Sequence, residues 1–287
     1  MRFKTLPFAL LLILFFVSNA VGQNQPEPDN QTKSEVTFYV MGDVPYKPAE
    51  DVLLPQQIIA LPNDAAFVVH VGDIKGGAAP CDEAVFQKVA GMLSQSKAPV
   101  FIIPGDNEWN DCPDPDQAWK LWEQYFMRFD RRWQHSLPVV RQWEREENFS
   151  FVKGGVLFIG LNIVGGRIHD VAEWKQRHAA DLDWVRRNLR RFGAEVSSLV
   201  IFGHAKPILV HNDFFDPFNK EALEFGKPIL YIHGDGHSWI YDFPFAAKNI
   251  LRVQVDQGGI APPLKVTITD DKKTPFQFDR RNGKPAK

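Results

Sequence analysis

The sequence predicts a mixed α/β domain built on layered sheets, and three observations point there. Short apolar runs rich in β-formers recur along the chain. Segments with helical spacing lie between the first of them, and a hairpin-like pair follows later. Five strand ends also carry a glycine beside Asp or His: Gly42-Asp43, Gly72-Asp73, Gly105-Asp106, Gly203-His204 and Gly234-Asp235.

Residues 36–41 read as the first strand, ending at Gly42-Asp43, and residues 51–61 carry apolar positions at helical spacing. A second strand, 67–71, ends at Gly72-Asp73 and is followed by a helical pattern over 82–94. Strand 100–103 ends at Pro104-Gly105-Asp106. Asp114-Pro115-Asp116 then opens a helix over 117–126, because proline and acidic residues suit a first turn. Runs 149–152 and 156–162, separated by Gly154-Gly155, form a hairpin pattern. The longest helical stretch is 171–192, with Trp174, Leu182, Val185 and Leu189 along its apolar face. Strands 198–202 and 229–232 lead into Gly203-His204 and His233-Gly234-Asp235. Two last strands, 250–255 and 264–269, precede a polar tail over 271–287. Nothing between 35 and 270 repeats or reads as a linker, so that span is expected to be one domain.

Composition bounds the function. Of 287 residues, 44% are hydrophobic and 13% aromatic, with eight Trp, which suffices for a packed core. Lys and Arg number 33 against 35 Asp and Glu, so the net charge of −2 supplies no global field for nucleic acid or acidic lipid. Two cysteines exclude a disulfide-stapled toxin, and a polytopic membrane protein is excluded by the shortage of apolar runs.

Residues 1–20 have the layout of a secretory signal. Arg2 and Lys4 precede an apolar run from Leu6 to Val17, then Ser18-Asn19-Ala20 offers small residues for cleavage. The run is about 12 residues, short of the roughly 20 of a spanning helix, although an uncleaved anchor is the rival reading. Residues 23–34 are polar, with Pro26 and Pro28, and the stretch 21–34 reads as a flexible leader. The expected location is therefore periplasmic or secreted, with no membrane span after cleavage. Export makes a Cys81–Cys112 bridge possible; two separate buried thiols are the alternative.

Individually, Gly-Asp after a strand is an ordinary turn. Five strand ends carrying Asp or His are a different matter, since ligands gather at the carboxyl ends of strands in open α/β sheets. Carboxylates and imidazoles converging there require cations between them. The order and spacing of the blocks around Asp43, Asp73, Gly105-Asp106-Asn107-Glu108, Gly203-His204 and Gly234-Asp235-Gly236-His237 resemble those of the calcineurin-like metallophosphoesterases. The resemblance spans about residues 36–255 and implies a layered αββα sandwich of two mixed sheets flanked by helices. It also implies a two-metal centre. One ion would take Asp43, Asp73 and His237; the other would share Asp73 and take Asp106, His204 and Asp235. Glu108 would orient neighbours.

The motifs depart from the family pattern at named places. Asp43-Val44-Pro45 stands where the family has Asp-x-His. Asp106-Asn107 stands for Asn-His, so Asn107 occupies the catalytic-histidine position, and Asp235 replaces the first histidine of Gly-His-x-His. The extra carboxylates favour Mn, Fe or Mg, with Zn or Ca as alternatives. What the resemblance implies is an exported hydrolase acting on phosphoric ester bonds of a small phosphorylated substrate, through in-line attack by a metal-held hydroxide with the ions about 3.5–4 Å apart. With Asn107 unable to act as an acid, His169 and His211 are the candidates for protonating the leaving group; exposed loop histidines are the plainer reading. Lys47, Lys75 and Lys206 follow candidate ligands and offer a positive rim for an anion, or are solvated loop lysines. Trp109, Trp119, Trp122, Trp133 and Trp143 offer a platform for a flat group or fill core, with Trp109 the one nearest the expected pocket. A non-catalytic relative binding an anion, glycan or protein partner is the second reading.

Overall fold

Strand β1 (Val36–Met41) is buried on both faces, and its alternation sets out the layers. Phe38 and Val40 face a core shared with Phe151, Phe158, Phe202 and Leu230 of a second sheet. Tyr39 and Met41 face the other way, into a core with Leu54, Phe86 and Trp122. The structure is a computed structural model that describes Met1, residues 35–259 and residues 261–281. Apart from Met1, the expected signal peptide and leader lie outside the described residues.

The first sheet contains β1, β2 (Val68–His70), β3 (Val100–Ile102), β11 (Leu264–Ile268) and β12 (Phe276–Asp279), in the order β12-β11-β1-β2-β3. The first three strands are parallel, with Val40 opposite Val69 and Val69 opposite Phe101; β11 is antiparallel to β1, and β12 to β11. The second sheet contains β4 (Val140–Arg141), β5 (Phe149–Lys153), β6 (Val156–Gly160), β7 (Ser198–Phe202), β8 (Ile229–His233), β9 (Ile240–Asp242) and β10 (Ile250–Gln254). Its order is β4-β5-β6-β7-β8-β10-β9, with β6, β7, β8 and β10 parallel.

Helices α1 (Pro48–Ile59), α2 (Glu83–Leu93) and α3 (Pro115–Phe126) bury their apolar residues against the outer face of the first sheet. Helices α4 (Val171–Phe192) and α5 (Asn212–Phe225) do so on the second, through Leu182, Val185, Phe214, Phe218 and Ala222. The result is an αββα sandwich, as the motif order implied. A ring cluster joins the sheets, with Phe67 edge-on to Phe158 at 5.1 Å and Phe38 edge-on to Phe202 at 5.7 Å.

Local signals account for the element ends. Helix α4 starts where expected because the Asp170 carboxylate accepts from the N–H groups of Ala172 (2.7 Å) and Glu173 (3.1 Å). Helices α1 and α3 begin two or three residues before the expected starts, each with proline in its first turn. Three strands and one helix lie in segments with no expected element. In α5 the interior Pro217 interrupts the pattern, although Phe214, Phe215, Phe218 and Ala222 all face the core. Strand β12 corrects the expected polar tail: Phe276 and Phe278 pack against the intersheet core while Gln277 and Asp279 are exposed. The two cysteines form a disulfide, Cys81–Cys112. Among the described residues, no helix is long and apolar enough to cross a membrane.

Candidate metal centre

The parallel strands of both sheets deliver their carboxyl ends to one rim. After β1 the chain turns at Asp43 (φ 54°), whose N–H donates to Gly72 O at 3.0 Å, and Val44 N–H donates to Asp73 O at 3.0 Å. After β2, Asp73 also has a left-handed backbone (φ 62°), as do Asp235 (φ 63°) and His237 (φ 62°). Left-handed side-chain-bearing residues cost about 1–3 kcal/mol each and collect at functional sites. Gly72 and Gly105 let β2 and β3 meet: a Cβ on Gly72 would stand 2.6 Å from Gly105 N, and one on Gly105 2.1 Å from Asp73 N. After β3, residues Asp106–Asn110 form a single π-helical turn, an uncommon element that often marks function. Buried Glu108 holds its start, accepting from Gly105 N–H at 2.6 Å.

Two groups of ligating side chains result: Asp43, Asp73 and His237, and Asp73, Asp106 and His204. Within each, one ligand atom per residue lies within 4.8 Å of the others. Asp73 belongs to both. His204 Nδ1–H donates to Val71 O at 2.7 Å, which fixes the tautomer and aims Nε2 at Asp106 Oδ1 (2.9 Å) and Asp73 Oδ1 (3.4 Å). On the open side, His237 Nε2 is 3.4 Å from Asp43 Oδ1.

The electrostatics are those of a centre short of positive charge. Burial and the carboxylates of Asp106, Glu108 and Asp43 push Asp73 well above the usual carboxylate range, against the pull of His204. Burial pushes Asp106 the same way, but His204 outweighs it and holds Asp106 low. His204 is raised despite burial because Asp73 and Asp106 face it. Burial likewise raises Glu108, and His237 is raised chiefly by its contact with Asp43. His204 Nε2 has Asp106 Oδ1 and Asp73 Oδ1 as its polar neighbours, and Asp43 Oδ2 is buried without a hydrogen-bond partner. An imidazole nitrogen facing two carboxylates is a donor set that suits a divalent cation, so the residues fit the metals that the motifs imply.

Tyr46 sits inside the first group. Its hydroxyl donates to Asp73 Oδ2 at 2.5 Å and lies 3.3 Å from Asp43 Oδ1 and 3.5 Å from His237 Nε2. Sequence reasoning passed over it because the family pattern directs attention to position 45. The available signal was a side chain with an oxygen donor one residue further on. Burial, then Asp73 and Asp43, push the phenol far above its ordinary range.

The other expected site residues divide. Asn107 reaches the centre but is committed to holding Asp73: its N–H donates to Oδ1 at 3.0 Å and Nδ2 to Oδ2 at 2.5 Å, with a further bond to Tyr46 at 3.1 Å. Asp235 lies beside the centre without joining either group. Its N–H donates to Asp43 Oδ1 at 3.1 Å and its Oδ2 is 3.5 Å from Lys206 Nζ. Gly165 leaves room there, since a Cβ on it would stand 3.0 Å from Asp235 Oδ2 and 3.2 Å from Asp106 Oδ1. Lys206 is at the rim and Lys47 is exposed.

Three expectations are corrected. Lys75 is 3% exposed, not a rim lysine; its ammonium donates to Ala79 O (2.9 Å) and Gly76 O (3.4 Å), and burial lowers its pKa. His211 is no surface acid. It stacks on Trp174 at 5.2 Å beside His178, and burial pushes it down to about 3. Trp109 is buried against Trp119 (4.6 Å) and the Arg177 guanidinium (5.0 Å), and borders a separate cleft of about 730 Å³ rather than either ligand group. His169 borders the same cleft, with Nδ1 2.7 Å from Asn110 Oδ1. Trp122 is core, Trp119 and Trp133 pack against it, and Trp143 is exposed. His70 and His233 are buried beneath the centre, each contacting a backbone carbonyl and pushed by burial down to about 4 and about 3.

The fold and this rim together define an αββα sandwich whose strand ends gather carboxylates and imidazoles at one edge. Among solved structures, the purple acid phosphatase PPD1 from yellow lupin (Lupinus luteus) seeds is similar at 13% identity and a TM-score of 0.51, over 89% of this chain and 53% of that one. A 5'-nucleotidase from Candida albicans SC5314 matches at 13% identity and a TM-score of 0.49, over 85% of this chain and 50% of that one. TT1561 of Thermus thermophilus matches at 11% identity and a TM-score of 0.47, over 86% of this chain and 99% of that one. The chain thus spans about half the length of the phosphatase and the nucleotidase. At such identity the likeness to the lupin phosphatase is one of fold. No family model and no curated protein matches the sequence.

Proposed function

We propose that this chain is an exported, metal-dependent phosphoesterase that hydrolyses a small phosphorylated substrate. The observation that carries the reading is the pair of ligand groups sharing Asp73, with His204 Nε2 buried against Asp106 Oδ1 and Asp43 Oδ2 buried without a hydrogen-bond partner. Asp43, Asp73 and His237 would hold one ion with the Tyr46 oxygen alongside, and Asp73, Asp106 and His204 the other; the oxygen-rich set favours Mn, Fe or Mg. Bound there, the ions would polarise the phosphoryl group and make water a nucleophile at neutral pH.

The protein groups have separate tasks. Asn107 and Tyr46 hold Asp73 in place from two sides. His204 keeps its proton on Nδ1, against Val71 O, so that Nε2 is available as a ligand. Lys206 keeps a positive charge beside Asp235, where an anionic substrate enters. With His211 buried, His169 is the one of the two candidate acids that keeps contact with solvent, at the cleft beside Trp109. Residues 1–20 direct export to a periplasmic or secreted location. The commitment of Asn107 to Asp73 favours a second reading, in which the centre binds a phosphorylated anion without turning it over.

Metal analysis of the mature protein beside Asp73→Asn, with p-nitrophenyl phosphate hydrolysis followed across Mn, Fe, Mg, Zn and Ca, separates these readings. Metal-dependent turnover that the variant loses supports the enzyme. Metal binding and phosphate protection against thermal unfolding, without turnover under any ion, supports the binder. Protein that takes up no metal rules out both.

A further inference from the structure

A second cavity, of about 280 Å³, lies at the opposite end of β8 from the candidate metal centre. It opens beside Ile229, and Asp235 is six residues along that strand and its exit, about 20 Å away. Four segments distant in sequence enclose it: residues 226–229, β9 with the residue after it, the start of β10, and the turn between β11 and β12. The cavity therefore sits at a seam between the two sheets.

Its lining is chemically one-sided. Lys227, Lys248, Lys272 and Lys273 contribute to it, and no aspartate or glutamate does. Two of these charges are fixed. Lys227 Nζ donates to the carbonyls of Gly193 (2.7 Å), Ala194 (3.3 Å) and Val196 (2.6 Å), and Lys248 Nζ to those of Phe245 (2.8 Å) and Phe243 (3.3 Å). They supply a positive field and have few donors left. Lys272 and Lys273 are exposed on the turn, and neither ammonium forms an ion pair among the described residues. Two nearby carboxylates are already committed. Asp242 is paired with Arg252 through Nε at 2.6 Å and through Nη2, and Asp271 accepts from Lys273 N–H, Thr274 N–H and the Thr274 hydroxyl.

The apolar part of the lining is aromatic and accessible. Tyr241 and Phe243 are 45% and 47% exposed, and they meet edge-on with centroids 6.4 Å apart. Aromatic faces beside free ammonium groups match a ligand with a flat body and an anionic end. We propose that this cavity binds a small anion carried on a planar ring, of the aryl phosphate or aryl sulfonate kind, as a ligand site separate from the metal centre. The inference is independent of the phosphoesterase reading.

Calorimetric titration of the mature protein in EDTA, with naphthalene-1-sulfonate, neutral 1-naphthol and inorganic phosphate, tests it. The sulfonate is not a phosphoester, and EDTA keeps metal out of the other site. The expected result is one sulfonate per chain, bound at least about tenfold tighter than either the naphthol or phosphate, because only the sulfonate meets both the lysines and the rings. Lys272→Glu/Lys273→Glu, on the exposed turn, should abolish that binding, and Tyr241→Ala/Phe243→Ala should weaken it about tenfold with the melting temperature checked alongside. Naphthol binding as tightly as the sulfonate, wild-type affinity in the double lysine variant, or no saturable binding would each overturn the proposal.

Discussion

Tyr46 and Asp73 leave different strands, and the hydroxyl of the first donates to Oδ2 of the second at 2.5 Å. The same hydroxyl accepts from Asn107 Nδ2 at 3.1 Å and reaches His237, so a phenol occupies the middle of a carboxylate–imidazole group. Tyr46→Phe removes that oxygen while keeping the ring. The expected outcome is roughly tenfold weaker binding of one of two manganese ions, the usual scale for a lost partner in a metal site, read by competition with a fluorescent chelator. Unchanged affinity for both ions would show that the hydroxyl merely neighbours the site.

Cys81 and Cys112 are 31 positions apart, and both sulfurs lie 3.6–3.8 Å from Asn107 O, against the π-helical turn. Replacing both by serine should cost about 3–4 kcal/mol through the released loop entropy, measured by urea unfolding. Metal affinity should fall with it, since the turn bearing Asp106 and Asn107 loses its clamp.

Asp181, on α4, is fully buried; its Oδ1 accepts from Asn148 Nδ2 at 2.6 Å, and burial pushes its pKa up to about 8. An acid raised in the folded state is held protonated there, while the unfolded chain releases its proton near pH 4. Stability should therefore fall as pH rises from about 4 to about 8, by several kcal/mol at most. Asp181→Asn should gain on the wild type across that window in unfolding free energies measured at its two ends. A constant difference would mean that Asp181 does not titrate there.

Arg177 is fully buried, with its guanidinium 5.0 Å from the ring of Trp109 and 4.9 Å from that of Trp174. Nη1 donates to Asn162 O at 3.0 Å and Nε to Glu173 at 3.0 Å. Arg177→Met should cost about 3 kcal/mol, because it strips a buried cation from its partners. Arg187→Ala, at an exposed ion pair on the same helix, should leave the melting temperature unchanged.

Lys206 and Lys75 follow candidate ligands at the same spacing but lie in different surroundings. Lys206→Ala should raise KM about fivefold with kcat nearly constant, as expected for a charge that gathers an anionic substrate. Lys75→Ala should instead appear as a loss of about 1–3 kcal/mol in stability, since it leaves the carbonyl of Ala79 without its donor. Reversal of the two phenotypes would reverse their assignments.

The sequence by itself determined what depends on near neighbours: the strand–glycine–ligand order, the ends of α4, and the meeting of Asp43, Asp73, Asp106, His204 and His237 at one rim. Hydrophobic period, caps and turn residues act over a few positions, and strand direction then sends the exits of the parallel strands to the same edge. Only the tertiary structure decided which way side chains turn once they arrive. It placed the Tyr46 hydroxyl among the ligands, drew Asp235 toward Lys206, buried Lys75 and His211, and paired β12 with β11 where a tail was expected. Each outcome depends on packing between segments far apart in sequence, and burial there sets both the pKa and the partners of the group.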